Sequence, residues 1–355
     1  MTKKNTGRES NLELLRIVSI AMIIGLHYFN GGKGGALANL YFPHYNSFIT
    51  YFLESSFIVA VNCFILITGF FQIKNETISI KKVASLFLIT SFYSALFYLI
   101  YVFVGRHTFN LLTFSGSVLP LFSGQYWFIK TYLILYILSP YLNMILNKID
   151  KKSYEKLLLI LLLLFSVWPS LLTATSPNMD CGLGIISFTV MYAIGGYLKK
   201  YFILDRSKYF YLLGYLIVTT VIFAYMSIAP RVGLPSIAWN YNCLLDIISS
   251  VFLFLFFSRL KLQSKIINYI ASFVLSIYVI HENTYISAYI YSHVLHTQNY
   301  WFSPLFTLHM VASVTSVFAG AMIIDIARAW IFSRVRLFSC IHYIQNSCQP
   351  FCKKT

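Results

Sequence analysis

The stretch EKLLLILLLLFSVWPSLLTA at 155–174 leaves little freedom: after its first two residues it holds no charge for eighteen positions. A helix that crosses the hydrocarbon core of a bilayer needs about 20 mostly apolar residues, and this run supplies them. Nine further windows of that kind follow the same rule, near 11–30, 47–72, 83–104, 126–147, 183–201, 209–228, 240–258, 267–291 and 304–327. Between them the Gly-rich stretch 31–35 and the polar segments near 105–125, 174–182 and 229–239 read as connections. The expected fold class is therefore all-α, a polytopic integral membrane protein of about ten transmembrane helices.

The basic residues test that count. Of the 27 lysines and arginines, 22 fall in clusters within 3–8, 74–82, 148–156, 199–208, 259–265 and 328–354, all on one side of a ten-span topology. Only Lys33, Arg106 and Arg231 fall on the other side, and Arg16 and Lys130 lie within spans. Positive charge gathers on the cytoplasmic side, so both termini are expected there.

A net charge of +16 invites nucleic acid as a partner, but clusters set between apolar runs serve topology and make no phosphate-binding face. With 58% hydrophobic and 11% charged residues the chain lies far from soluble proteins, which carry roughly a quarter charged residues. Membrane lipids are the expected surroundings and nucleic acid is not an expected partner. The first apolar run follows a polar segment and is long enough to span, so no cleavable signal is expected. One transmembrane domain over 1–340 and a short basic cytoplasmic tail at 341–355 complete the division. Six cysteines show no metal-ligand spacing, so no metal is expected. Cys340, Cys348 and Cys352 in the tail read as free thiols, with lipidation the less ordinary account.

The first span carries RIVSIAMIIGLH, with Arg16 and His27 separated by ten uncharged residues. At 100° per residue they lie about 20° apart around the helix and about 16 Å apart along it. Glu9, Glu13, Ile20 and Ile24 share the stripe. Snorkelling to headgroups accounts for Arg16 alone, but a histidine deep on the same face needs a partner or a task. A chemical reading uses both residues: a cation at the cytoplasmic mouth and a base or nucleophile deeper in.

At these residues the chain resembles the acyltransferase family 3 membrane proteins of bacteria. Arg16 and His27 match the family's arginine, ten residues, histidine opening in the context NLELLRIVSIAMIIGLHYF. The segment VNCFILITGFFQIK is similar to its aromatic-rich second span, with Thr68-Gly69-Phe70 standing for Ser-Gly-Phe. GQYWFIKTYLILYILSPYLN at 124–143 and SIYVIHEN at 276–283 extend the likeness to about residue 290. Two departures stand out. A pair of arginines after the second span is replaced by KNETISIKKVAS, where Lys81 and Lys82 keep the charge and lose the bidentate fork. The extracytoplasmic hydrolase-like domain of some members has no counterpart, so this chain is expected to modify its acceptor alone or to hand on to another protein.

The resemblance implies an O-acyltransferase of the bacterial cytoplasmic membrane, moving acetyl from cytoplasmic acetyl-CoA to a hydroxyl of a surface or exported glycan or its lipid-linked precursor. Capsule and exopolysaccharide are acceptors of that kind. It places Arg16, Lys81 and Lys82 on the coenzyme A phosphates. His27 acts as general base or is transiently acetylated, the first being preferred. His281 lies at comparable depth, and Glu54, Asp246 or Glu282 is expected to orient a histidine. Gln125 and Trp127, with Tyr126, sit where a sugar ring would bind. A carrier or flippase for a lipid-linked sugar is the competing reading. It calls for broken helices or paired halves, neither of which is evident in the sequence.

Overall fold

The computed structural model describes residues 9–172, 180–202 and 206–335. The predicted tail 341–355, with Cys340, Cys348 and Cys352, and the basic residues Lys3, Lys4, Arg8, Arg336, Lys353 and Lys354 lie outside the described residues.

Among the described residues the chain is all helical, without a strand. Helix α1 (Ser10–Phe29) leads through a Gly-rich loop and the short α2 (Ala36–Asn39) to α3 (Tyr45–Phe57) and α4 (Ala60–Gln72). Then come α5 (Ile80–Phe103), α6 (Leu111–Val118), α7 (Trp127–Lys148) and α8 (Lys151–Leu162). A π-turn at Leu163–Val167 joins α8 to α9 (Trp168–Leu171), followed by α10 (Ile185–Tyr201), α11 (Lys208–Ile228) and α12 (Leu244–Ser258). The ninth predicted span is divided into α13 (Lys265–Ala271) and α14 (Val274–Glu282), and the short α15 (Ser287–Tyr289) precedes α16 (Phe306–Val335). Ser79, Asp150, Ser207 and Ser264 stand just before four of these helices, and each side chain accepts from the backbone N–H three residues on. Such caps satisfy donors that the first turn leaves unpaired.

Among the described residues, eight helical stretches are long and apolar enough to cross a membrane. The other two predicted windows are helical but fall short of that length: α10 has 17 residues, and the α13–α14 window is broken at Ser272 and Phe273. The predicted second span is also bent, at Ile58 and Val59, yet counts as one stretch of 28 residues.

Helix α1 is the hub, touching α3, α4, α12, α13, α14 and α16. The α4–α10 contact explains the glycine of the Thr68-Gly69-Phe70 motif. A Cβ on Gly69 would lie 2.1 Å from the Tyr192 carbonyl oxygen, and one on Gly195 2.4 Å from that of Leu66. Two backbones meet there, as small residues permit in membrane bundles. The unmistakable run of α8 and α9 is the most peripheral, with 17% of its apolar window buried against 67% in α1.

Candidate active site

His27 sits in the last turn of α1, and three separate pieces of chain converge on it. The first is the loop after α1, folded back on the helix end: the Gly34 N–H donates to the His27 carbonyl (3.0 Å) and the Gly35 N–H to that of Asn30 (2.8 Å). A Cβ on Gly34 would lie 2.0 Å from the Tyr28 carbonyl oxygen, so the fold-back requires glycine there. Thr297 Oγ1 and Trp301 Nε1 both donate to the Gly34 carbonyl. This clamp delivers Lys33 to the histidine's carboxylate partner.

The second piece is the end of α14. Glu282 is its last residue, and Oε2 lies 3.1 Å from His27 Nε2. The Lys33 ammonium donates to that same oxygen. Burial pulls the Lys33 amine below the ordinary lysine range, and the Glu282 carboxylate opposes that shift. Helix α14 stops here because Asn283 turns the chain: its amide donates to the Tyr126 hydroxyl (2.8 Å) and its Oδ1 accepts from the Tyr285 N–H. Tyr126 in turn donates to the Val279 carbonyl. The two late motifs, GQYW and SIYVIHEN, thus lock each other and hold Glu282 in place.

A carboxylate 3.1 Å from Nε2 favours the His27 tautomer protonated there, which leaves the lone pair on Nδ1, buried and without a hydrogen-bond partner. His281 donates from Nδ1 to the Ile277 carbonyl (2.7 Å), leaving Nε2 as a second buried, unpartnered lone pair. The two rings lie 5.0 Å apart. Single ligand atoms of His27, His281 and Glu282 fall within 4.8 Å of one another, a grouping able to hold a metal ion. Lys33 already supplies a positive charge at Glu282 Oε2, so an ion would have to displace its ammonium.

The third piece is the wall of a cavity of about 290 Å³, lined by His27, Asn30, Lys33 and Glu282 together with Glu54, Trp127, Phe128, Tyr241 and Tyr278. Of the carboxylates weighed from the sequence, Glu282 is the one that contacts His27. Glu54 lines the same cavity and makes no hydrogen bond or ion pair among the described residues, its Oε2 being buried and unpartnered. Asp246 is held by the Asn62 amide at 2.8 Å, a buried structural contact. Trp127 lies on the cavity wall, stacked at 5.9 Å on Tyr241. Gln125 does not line it, because its Oε1 accepts from Ser94 Oγ.

At the other end of α1, Arg16 pairs with Glu13 Oε1 at 3.0 Å and remains one-third exposed. Lys82 lies 4.3 Å from the ring centre of Tyr136 and 5.8 Å from that of Tyr132. Lys81 is exposed. Of the residues expected at the basic mouth, Arg16 is paired with Glu13 and Lys82 lies over aromatic rings.

Lys33, Asn30, Tyr241 and Tyr278 were not singled out by the sequence. Lys33 had one signal: it is among the few cations on the sparse side of the charge asymmetry, framed by the glycines of GGKGG.

Helices of membrane-crossing length packed around α1 define a polytopic membrane protein. The chain belongs to acyltransferase family 3: the family model described as an acyltransferase domain matches residues 9–326. It is a multi-pass membrane acyltransferase. No curated protein and no solved structure matches the chain.

Proposed function

We propose that this acyltransferase moves an acetyl group from acetyl-CoA to a hydroxyl of a surface or exported glycan, or of its lipid-linked precursor, at the bacterial cytoplasmic membrane. The observation that carries the reading is His27 itself: it lines a cavity, its Nε2 lies 3.1 Å from Glu282, and its Nδ1 is buried without a hydrogen-bond partner. In this scheme Nδ1 takes the proton of the acceptor hydroxyl as its oxygen attacks the thioester carbonyl. Glu282 fixes the ring and stabilises the imidazolium, the role a carboxylate plays behind a catalytic histidine. Collapse of the tetrahedral intermediate breaks the C–S bond, and the proton passes from His27 to the departing thiolate, giving the ester and free coenzyme A. Arg16 and Lys82 hold the coenzyme A phosphates at the basic end, about 16 Å of helix away from His27.

The test uses protein in nanodiscs with acetyl-labelled acetyl-CoA. Label should appear in the glycan, or as hydrolysed acetate, with wild type and vanish with His27→Ala, while Arg16→Ala weakens donor binding. Well-folded wild type that binds no acetyl-CoA overturns the donor assignment.

A further inference from the structure

The reading above leaves Glu54 without a task, and its surroundings specify one. The residue is 91% buried, its Oε2 is buried without a partner, and the carboxyl makes no hydrogen bond or ion pair among the described residues. Burying an ionisable group without a partner costs several kcal/mol, so a site that keeps one in a cavity wall is short of a donor. Around it the lining is aromatic: Trp127, Phe128, Tyr241 and Tyr278. The cavity's cation, Lys33, is committed to Glu282. At about 290 Å³ the space lies at the small end of the roughly 300–1,000 Å³ usual for ligand pockets.

We infer that this cavity takes one neutral pyranose ring, with Glu54 accepting hydrogen bonds from its hydroxyls, and that it rejects rings bearing a carboxylate. The inference rests on the acceptor being a glycan and narrows it to a neutral terminal sugar. Each part of the wall has a counterpart in such a ring. The apolar C–H face lies against the aromatic side chains, which offer contact area at low entropic cost. Adjacent hydroxyls donate to the Glu54 oxygens, completing a buried acceptor. A hexuronate would instead set its own carboxylate among Glu54 and Glu282 with no uncommitted cation to receive it, and like charges brought that close repel strongly in a buried site. Glu54 is thus a substrate-binding and specificity residue, distinct from the His27–Glu282 pair.

Binding can be read without any transfer. Saturation-transfer NMR on nanodisc protein, with methyl gluco-, galacto- and mannopyranosides and the corresponding methyl uronides, measures the ring alone. At least one neutral hexoside should bind wild type, and its uronide should bind about tenfold more weakly or worse. Glu54→Ala should weaken the hexoside about tenfold. Glu54→Gln, which keeps an acceptor and loses the charge, should fall between and should improve uronide binding, a gain that a merely structural glutamate would not produce. Thermal melts of both variants establish that they are folded. Uronide binding equal to hexoside binding overturns the inference. So does hexoside binding unchanged in Glu54→Ala, or no hexoside bound by folded wild type at tens of millimolar. Hexoside binding without label transfer from acetyl-CoA would sink the donor assignment and leave this one standing.

Discussion

The cluster around His27 and the cluster around Asp325 are both buried, and both set a carboxylate against a cation, but they differ in what is left over. In α16 the Arg328 Nε donates to Asp325 Oδ1 at 2.7 Å, and the Tyr93 hydroxyl donates to the same oxygen at 2.6 Å. Arg328 Nε also reaches the Tyr93 hydroxyl at 3.2 Å. One guanidinium nitrogen, Nη2, is the group's unpartnered atom. None of the three lines the cavity beside His27. Around His27 two imidazole nitrogens are unpartnered, and His27 itself lines a cavity. Arg328 was expected among the basic residues flanking the last span; the helix instead runs on to Val335 and buries it. A buried charge whose partners are supplied within the protein ties helices together. A buried base without a partner inside the protein leaves a lone pair that a bound molecule can use.

That contrast breaks first on His27. His27→Ala should lower acyl transfer by about 10²–10⁴-fold, the contribution typical of a positioned general base, and leave the melting temperature close to wild type. Cys63 and Cys243 are buried while Cys181 is exposed, so the thiol-dye signal gained above that of the folded protein reads unfolding in every variant. A His27→Ala protein that loses activity only in proportion to lost fold would make the histidine structural and erase the distinction.

Asp325→Ala should do the reverse. Removing one partner of a buried pair strands the other and costs about 3–5 kcal/mol. Melting should fall sharply while transfer per folded molecule holds. A specific loss of transfer in the folded fraction would bring α16 into the chemistry and refute the division drawn here.

The division was only half legible in the sequence. Arg16 and His27 could be placed on one face because a single helix carries both, and 3.6-residue periodicity fixes their relation. Choosing among Glu54, Asp246 and Glu282 was beyond periodicity, since it depends on how α3, α12 and α14 pack around α1. Glu282 reaches His27 because α14 ends at Asn283, a stop set by the contact of Asn283 with Tyr126, 157 residues away in the chain. Lys33 reached the site through a loop fold-back that Gly34 permits, and a glycine-rich string read as a connection hides that geometry. The runs easiest to recognise, 155–174 above all, proved peripheral, because lipid-facing helices must be apolar nearly throughout. Helix α14, which carries Glu282, belongs to a window that falls below spanning length because the chain breaks at Ser272 and Phe273.

Glu282→Gln sharpens the comparison at intermediate scale. The glutamine carbonyl can still accept from His27 Nε2–H, so the tautomer survives while the charge opposite both the imidazolium and the Lys33 ammonium is lost. The difference between a charge-assisted and a neutral hydrogen bond is about 1–1.5 kcal/mol, so the rate should fall about tenfold. Glu282→Ala should cost more, because the ring then loses its orientation as well. Equal rates for the two variants would mean that charge alone matters and the hydrogen bond does not position the ring.

The smallest effect belongs to Tyr93→Phe. Its hydroxyl gives Asp325 one bond and takes one from Arg328, but the direct Arg328–Asp325 contact at 2.7 Å survives its removal. The loss should therefore sit at the lower end for a hydrogen bond to a charged group, about 1.5 kcal/mol, with transfer unchanged. If the phenylalanine variant melts as low as Asp325→Ala, the phenol is holding the pair together. The α5–α16 tie would then be a three-centre unit, in which deleting any member strands two buried groups.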